Sequence, residues 1–197
     1  MRPELELISE WIPPNSRVLD LGCGDGALLA YLHEHRHVSG YGLEIDTTNI
    51  IKCIQAGVNV IHADLEAGLD DFGEHSFDYV LMTQTLQVVK HTEKLLDEML
   101  RVGRQGIVTF PNFGFWRCRM QMALQGMMPV VKALPHEWYN TPNVHLFTIN
   151  DFEVLCHRKH ITILQRMVLN HAHQSAPGAC IWPNVLGEIA LYRLSHT

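Results

Sequence analysis

The chain has 197 residues, 47% of them hydrophobic and 18% charged, which is apolar enough for a packed core and too sparsely charged for a disordered chain. A net charge of −6 and the lack of any Lys/Arg-rich run argue against nucleic acid as the substrate, leaving room only for a local basic patch. Nothing approaches the roughly 18 consecutive apolar residues of a membrane span, and the acidic start, Met1 to Glu6, lacks the apolar core of a signal peptide. The cysteines, at 23, 53, 118, 156 and 180, are odd in number and form no Cys-x-x-Cys pair, so they read as reduced thiols of a cytoplasmic protein.

In chain order, residues 3–12 place Leu5, Ile8, Trp11 and Ile12 on one helical face, and Pro13-Pro14 stops that helix. Strand one is expected at 17–21, a helix over 26–36 and strand two over 38–45. Thr47 or Thr48, or Asp46 just before them, caps a helix with Ile50, Ile51 and Ile54 on its inner face, and Gly57 ends it. Strands three and four fall at 58–61 and 77–82. A helix capped by Thr92 runs to Val102, with Leu95, Leu96, Met99 and Leu100 inward and an Asp97–Arg101 pair at i,i+4. Strand five is 106–110. Strands alternating with helices predict an α/β fold with a parallel, doubly wound sheet.

After strand five the alternation breaks. A helix over 115–125 and a Pro- and aromatic-rich stretch precede a helix over 151–159. Two strands, 161–169 and 187–195, are joined by a Pro/Gly-rich 170–186. The whole reads as a single domain over 1–197, with 111–147 as an insertion or cap.

The chemistry is concentrated at Arg17-Val-Leu-Asp-Leu-Gly-Cys-Gly-Asp-Gly26, where a buried strand runs into a glycine turn that opens a helix. Such a turn lets a ligand approach the backbone, and the helix N-terminus behind it offers free N–H groups. Two ligands fit. Gly22-x-Gly24-x-x-Ala27, with an acid about 20 positions later, satisfies the loose dinucleotide fingerprint. S-adenosylmethionine (SAM) carries no phosphate and needs a carboxylate near its ammonium group, bare backbone and a second carboxylate for its ribose. Asp20 decides between them, because an acid there repels a pyrophosphate and suits a cation.

Other patterns carry less. His33-Glu-His-Arg-His37 matches the His-Glu-x-x-His zinc signature, but no third ligand is evident and it falls at a helix end on the sheet rim; His171-x-His173 lies in a loop. These histidines therefore predict no metal. No Gly-x-Ser-x-Gly occurs, so serine acyl transfer on the hydrolase pattern is unavailable. In segment 110–152, Trp138, Tyr139 and His145 are placed either to wall a pocket over the ligand edge or to pack as core under a long loop. Asn112 joins the pocket set. His136, Glu137, Tyr139 and His145 are the available bases, with no spacing that singles one out.

The glycine string resembles motif I of class I SAM-dependent methyltransferases. That resemblance implies a Rossmann-like, mostly parallel seven-stranded sheet with an antiparallel last strand. It implies SAM or S-adenosylhomocysteine held by Asp20, Gly22, Cys23, Gly24 and Gly26, with Glu44 on the ribose hydroxyls beside Ile45. Asp64 would take the adenine amino group and Leu65 N–H the ring nitrogen, with Thr83 and Gln84 at the methionine end. The Asn/Asp-Pro-Pro-aromatic tetrapeptide of nucleic-acid amino-methyltransferases is absent, and Gln87 stands where many small-molecule enzymes carry His. Gln84-Thr-Leu-Gln87, Glu98-Met-Leu-Arg-Val-Gly103, Phe110-Pro-Asn-Phe-Gly114 and Trp138-Tyr-Asn-Thr-Pro-Asn143 are similar to the bacterial methionine-biosynthesis family MetW across nearly the whole chain. This family implies a role in methionine biosynthesis beside homoserine O-acyltransferase, which makes O-succinyl- or O-acetylhomoserine. Two readings stay open: a SAM-binding partner that supports the acyltransferase, or an active SAM-dependent methyltransferase on a small-molecule acceptor.

Overall fold

The strands are apolar at consecutive positions because both faces of the sheet are covered. In the computed structural model, which describes residues 3–170 and 181–196, the strands are β1 Arg17–Leu21, β2 Ser39–Glu44, β3 Val60–His62, β4 Phe77–Thr83, β5 Gly103–Pro111, β6 Ile161–Leu169 and β7 Ile189–His196. The helices are α1 Pro3–Glu10, α2 Ala27–Arg36, α3 Thr47–Gln55, α4 Thr92–Val102, α5 Trp116–Gln125, α6 Ile149–Arg158 and α7 Pro183–Leu186. The Leu5 side chain, Cys180 and the His171-x-His173 stretch lie outside the described residues.

One sheet runs in the order β3-β2-β1-β4-β5-β7-β6. β1 to β5 pair in parallel, while β7 runs antiparallel to both β5 and β6. Successive side chains serve opposite layers. Val18, Leu81, Ile107 and Leu191 pack with residues of α1, α2 and α3. Leu19, Val80, Val108 and Tyr192 pack with α4 and α6. This is the doubly wound plan with an antiparallel last strand that the sequence implies.

Several local expectations are corrected. Of the caps expected for α3, the structure uses Asp46, whose Oδ1 accepts from Thr48 N–H and Asn49 N–H, and neither Thr47 nor Thr48. Those bonds, that of Asn49 first, hold the Asp46 carboxyl below its usual range. The inward residue of α3 is Cys53, whereas Ile51 and Ile54 are 55% and 65% exposed. The reason is close approach: a Cβ on Gly26 would lie 2.9 Å from Cys53 Sγ, so the helix meets the glycine turn through a small side chain.

The Asp97–Arg101 pair does not form either. Arg101 holds Glu98 through two bonds, of 2.6 and 3.0 Å, and donates to the carbonyls of Leu69 and Phe72 at 3.0 and 2.8 Å. Asp97 instead accepts from Lys159, just past α6, at 2.9 Å. Arg101 thereby fastens the 69–72 loop to α4. Its guanidinium lowers the Glu98 carboxyl first by hydrogen bonding and further by charge. Arg101→Met leaves two carbonyls and a carboxylate without their donor, so unfolding in urea should show a loss of about 2 kcal/mol, against less than about 0.5 kcal/mol for Asp97→Asn.

Candidate functional site

Between β1 and β4 the strand order reverses, and in open α/β sheets ligands sit beyond the strand ends at that point. The turn after β1 is positive in φ at Gly22, Gly24 and Gly26, at 74°, 58° and 76°. At Gly22 a side chain is also barred by space, since a Cβ would stand 2.8 Å from Thr85 Oγ1 beyond β4. Around Gly24 there is open space where a Cβ would point, so this backbone is accessible to a ligand.

Four bonds seat the turn. Gly22 N–H and Cys23 N–H donate to the Leu43 carbonyl at 2.8 and 3.1 Å. Gly24 N–H donates to Glu44 Oε2 at 2.8 Å, and the Cys53 thiol reaches the Gly24 carbonyl at 3.2 Å. Cys23 and Cys53 lie 3.8 Å apart, Sγ to Sγ. Burial, and next the charge of Asp20, push the Cys23 thiol well up; burial raises Cys53 as well. Both stay protonated at neutral pH and act as packing groups rather than nucleophiles.

Neighbouring strand ends converge here. Asp20 is buried beside Gly42 in the β1–β2 register and beside Leu81 in the β1–β4 register. Glu44 is buried, and its Oε1 accepts from Ile45 N–H and Asp46 N–H, both at 2.9 Å. A carboxylate offers about four acceptor positions, so about one stays open on Oε2 while the turn is held this way. The side chain of Ile45 is exposed beside it. Ala63 N–H donates to the Glu44 carbonyl, which brings the exposed Asp64 alongside. Asp64 Oδ1 accepts from Glu66 N–H at 2.9 Å and caps the short turn Leu65–Ala67. Thr83 ends β4, and Gln84 has a left-handed backbone, φ 57°, with its N–H on Thr109. Such a conformation in a non-glycine residue costs energy and tends to gather at functional sites.

The residues expected to form a substrate pocket do not come together. Trp138 and Tyr139 are 73% and 70% exposed and pack edge to face on each other, 5.8 Å between centroids. His136 is exposed as well. Their stretch forms surface turns with no apolar layer above it. Asn112 is buried and saturated: its Nδ2 donates to the carbonyls of Asn184 and Gly187, and its Oδ1 accepts from Gly114 N–H and Ile149 N–H. It is a staple holding β5 to α6 and α7, with no valence left for a ligand.

His145 lies elsewhere. Its Nε2 donates to the Lys90 carbonyl at 3.1 Å. It lines a groove of about 1080 Å³ with Leu86, Lys90, Phe152 and Lys159, and none of Asp20, Glu44 and Asp64 lines that groove. Gln87 ties this region to the strand ends. Its Nε2 donates to the Gln84 carbonyl, and its own carbonyl accepts from Val144 N–H and His145 N–H. Sequence spacing reveals neither the tie from Gln87 to 144 and 145 nor the approach of Thr85 to Gly22 and of Cys53 to Gly24, because in each case the two residues lie far apart along the chain.

Asn112→Ala abolishes four side-chain hydrogen bonds, three of them buried, and should cost about 3 kcal/mol in denaturant unfolding. If the residue is a staple alone, calorimetric ligand affinity of the remaining folded protein stays at the parent value.

Comparison with known proteins places these features. A chain from Rhodopirellula baltica, the bifunctional methionine biosynthesis protein MetXA/MetW, is 38% identical over 167 residues, covering 80% of this chain and 27% of that one. A phthiotriol/phenolphthiotriol dimycocerosates methyltransferase 1 from Mycobacterium ulcerans is 32% identical over 95 residues, 46% of this chain and 34% of that one. The chain thus spans between a quarter and about a third of the length of these curated relatives. Among solved structures, a SAM-dependent methyltransferase from Mesorhizobium loti superposes with a TM-score of 0.70 at 17% identity, covering 98% of this chain and 97% of that one. A TehB-like SAM-dependent methyltransferase from Corynebacterium glutamicum does so with a TM-score of 0.65 at 14% identity, covering 100% and 89%. At such identities the likeness is one of fold: a Rossmann-like methyltransferase architecture. Among the described residues no helix is long and apolar enough to cross a membrane. The family model for methionine biosynthesis protein MetW matches residues 2–194, and the chain belongs to that family.

Proposed function

We propose that this protein is a SAM-binding subunit of methionine biosynthesis that works with homoserine O-acyltransferase and adjusts its activity. The observation that carries this reading is the relative from Rhodopirellula baltica, named for two methionine-biosynthesis units, MetXA and MetW, of which this chain matches only part. Partners that act together gain effective concentration when joined in one chain.

The strand ends suit SAM. Asp20 is the carboxylate for its ammonium group, the bare backbone at Gly24 receives the methionine part, and Glu44 takes a ribose hydroxyl. Asp64 and Leu65 meet the adenine, and Thr83 and Gln84 bound the methionine end. When bound, SAM supplies a sulfonium-activated methyl group; this chain's residues bind and orient it. SAM is made from the pathway's product, so a ligand that binds two states of the subunit unequally reports the product's level.

Calorimetric titration with SAM should give saturable binding, weakened about tenfold or more by Asp20→Asn and by Glu44→Gln, whose amide would face Gly24 N–H donor to donor. Added to the acyltransferase, the chain should raise its rate, and SAM should change the size of that rise. An acyltransferase rate indifferent to the chain rejects the partnership. Formation of S-adenosylhomocysteine with a small-molecule acceptor would assign the chain to the methyltransferase reading instead.

A further inference from the structure

We propose that α5 is the docking surface for the acyltransferase, whose complementary face is an apolar groove rimmed with carboxylates; this rests on the partnership proposed above. Among its ten residues only Cys118 is buried. Trp116, Met120 and Leu124, at i, i+4 and i+8, form an exposed apolar stripe, and Leu124 is 75% exposed. Met122, on another side of the helix, and Met127 and Met128, just past its end, are exposed as well, so four of the chain's eight methionines lie between 120 and 128. Methionine adapts its shape to a partner, and contiguous exposed apolar surface marks an interaction site. A helix this short is marginal in water by itself, since roughly 12–15 residues are needed, so α5 gains from being covered.

Charge identifies the kind of partner. The chain carries 21 Asp and Glu residues, yet none lies between Met99 and His136. Arg117 and Arg119 are exposed on α5 itself, the latter with its Nε on the Gly114 carbonyl, Lys132 is exposed just beyond the helix in the chain, and among the described residues the three have no ion-pair partner. Arg117 lies over the Trp116 ring, 5.4 Å from its centroid. A second copy of this chain would oppose cations to cations with no local carboxylate to offset them. A partner with an acidic rim and an apolar floor satisfies both the stripe and the cations.

The test uses the full chain and the homoserine O-acyltransferase of the same organism. Wild-type binding by calorimetry is the arm for the partnership. Met120→Glu with Leu124→Glu should weaken it about 30-fold or more. Arg117→Glu with Arg119→Glu should lower the association rate and flatten its dependence on salt. Ile54→Glu, on the exposed side of α3, should change affinity less than about threefold, and circular dichroism and SAM affinity should match wild type in all variants. Wild-type binding that survives Met120→Glu/Leu124→Glu, or that is lost in Ile54→Glu alone, overturns the docking surface and leaves the partnership standing. Equally, a wild-type dimer dissolved by the α5 change, or α5-dependent binding to phosphatidylglycerol vesicles with acyltransferase binding untouched, would assign the stripe to another occupant and overturn the proposal. Absence of wild-type binding removes the partnership itself.

Discussion

The Glu44 carboxylate joins two otherwise separate pieces of backbone, and the ligand edge of the sheet depends on that joint. Oε2 receives the Gly24 N–H of the turn after β1, and Oε1 receives two N–H groups at the end of β2. Without that acceptor the glycine turn would hold a part-buried donor with no partner, which costs more than the bond itself contributes. The circle closes through α3: Asp46 caps it, and its Cys53 returns to the Gly24 carbonyl. Turn, strand end and helix therefore stand or fall as one unit.

The second half of the molecule is built for another purpose. Beyond β4 the polar contacts serve to fix loops: Gln87 pins residues 144 and 145, Asn112 pins α6 and α7, and Arg101 pins the 69–72 loop. What these fastenings leave uncovered is α5. The seated glycine turn and the exposed Trp116, Met120 and Leu124 of α5 are thus separate features of the chain.

Much of the fold was legible because it rests on local patterns. The apolar Val18, Leu19 and Leu21 around Asp20 and the consecutive run Tyr79–Met82 signal strands buried on both faces, and the glycine spacing signals the turn between β1 and α2. The carboxylates at 20, 44 and 64 were legible as site candidates because each stands at a strand's end. Side-chain pairing was not. Arg101 prefers Glu98 over Asp97 because the 69–72 carbonyls draw its guanidinium to that side, which no i,i+4 rule contains. Three isoleucines on α3 mimic an inner face, but the close glycine turn is met by the small side chain of Cys53. Asn112 and the aromatics at 138 and 139 share one sequence neighbourhood, and tertiary contacts send them to opposite fates, one buried as a staple and the others left in solvent.

The placement of β7 has a consequence for how the sheet is completed. β6 precedes it in the chain, yet β6 pairs with β7 alone, and β7 with β5. The earlier strand must wait for the later one, which brings together partners some 80 positions apart at a corresponding loss of chain freedom. Shortening the polypeptide by one strand would consequently unmake two.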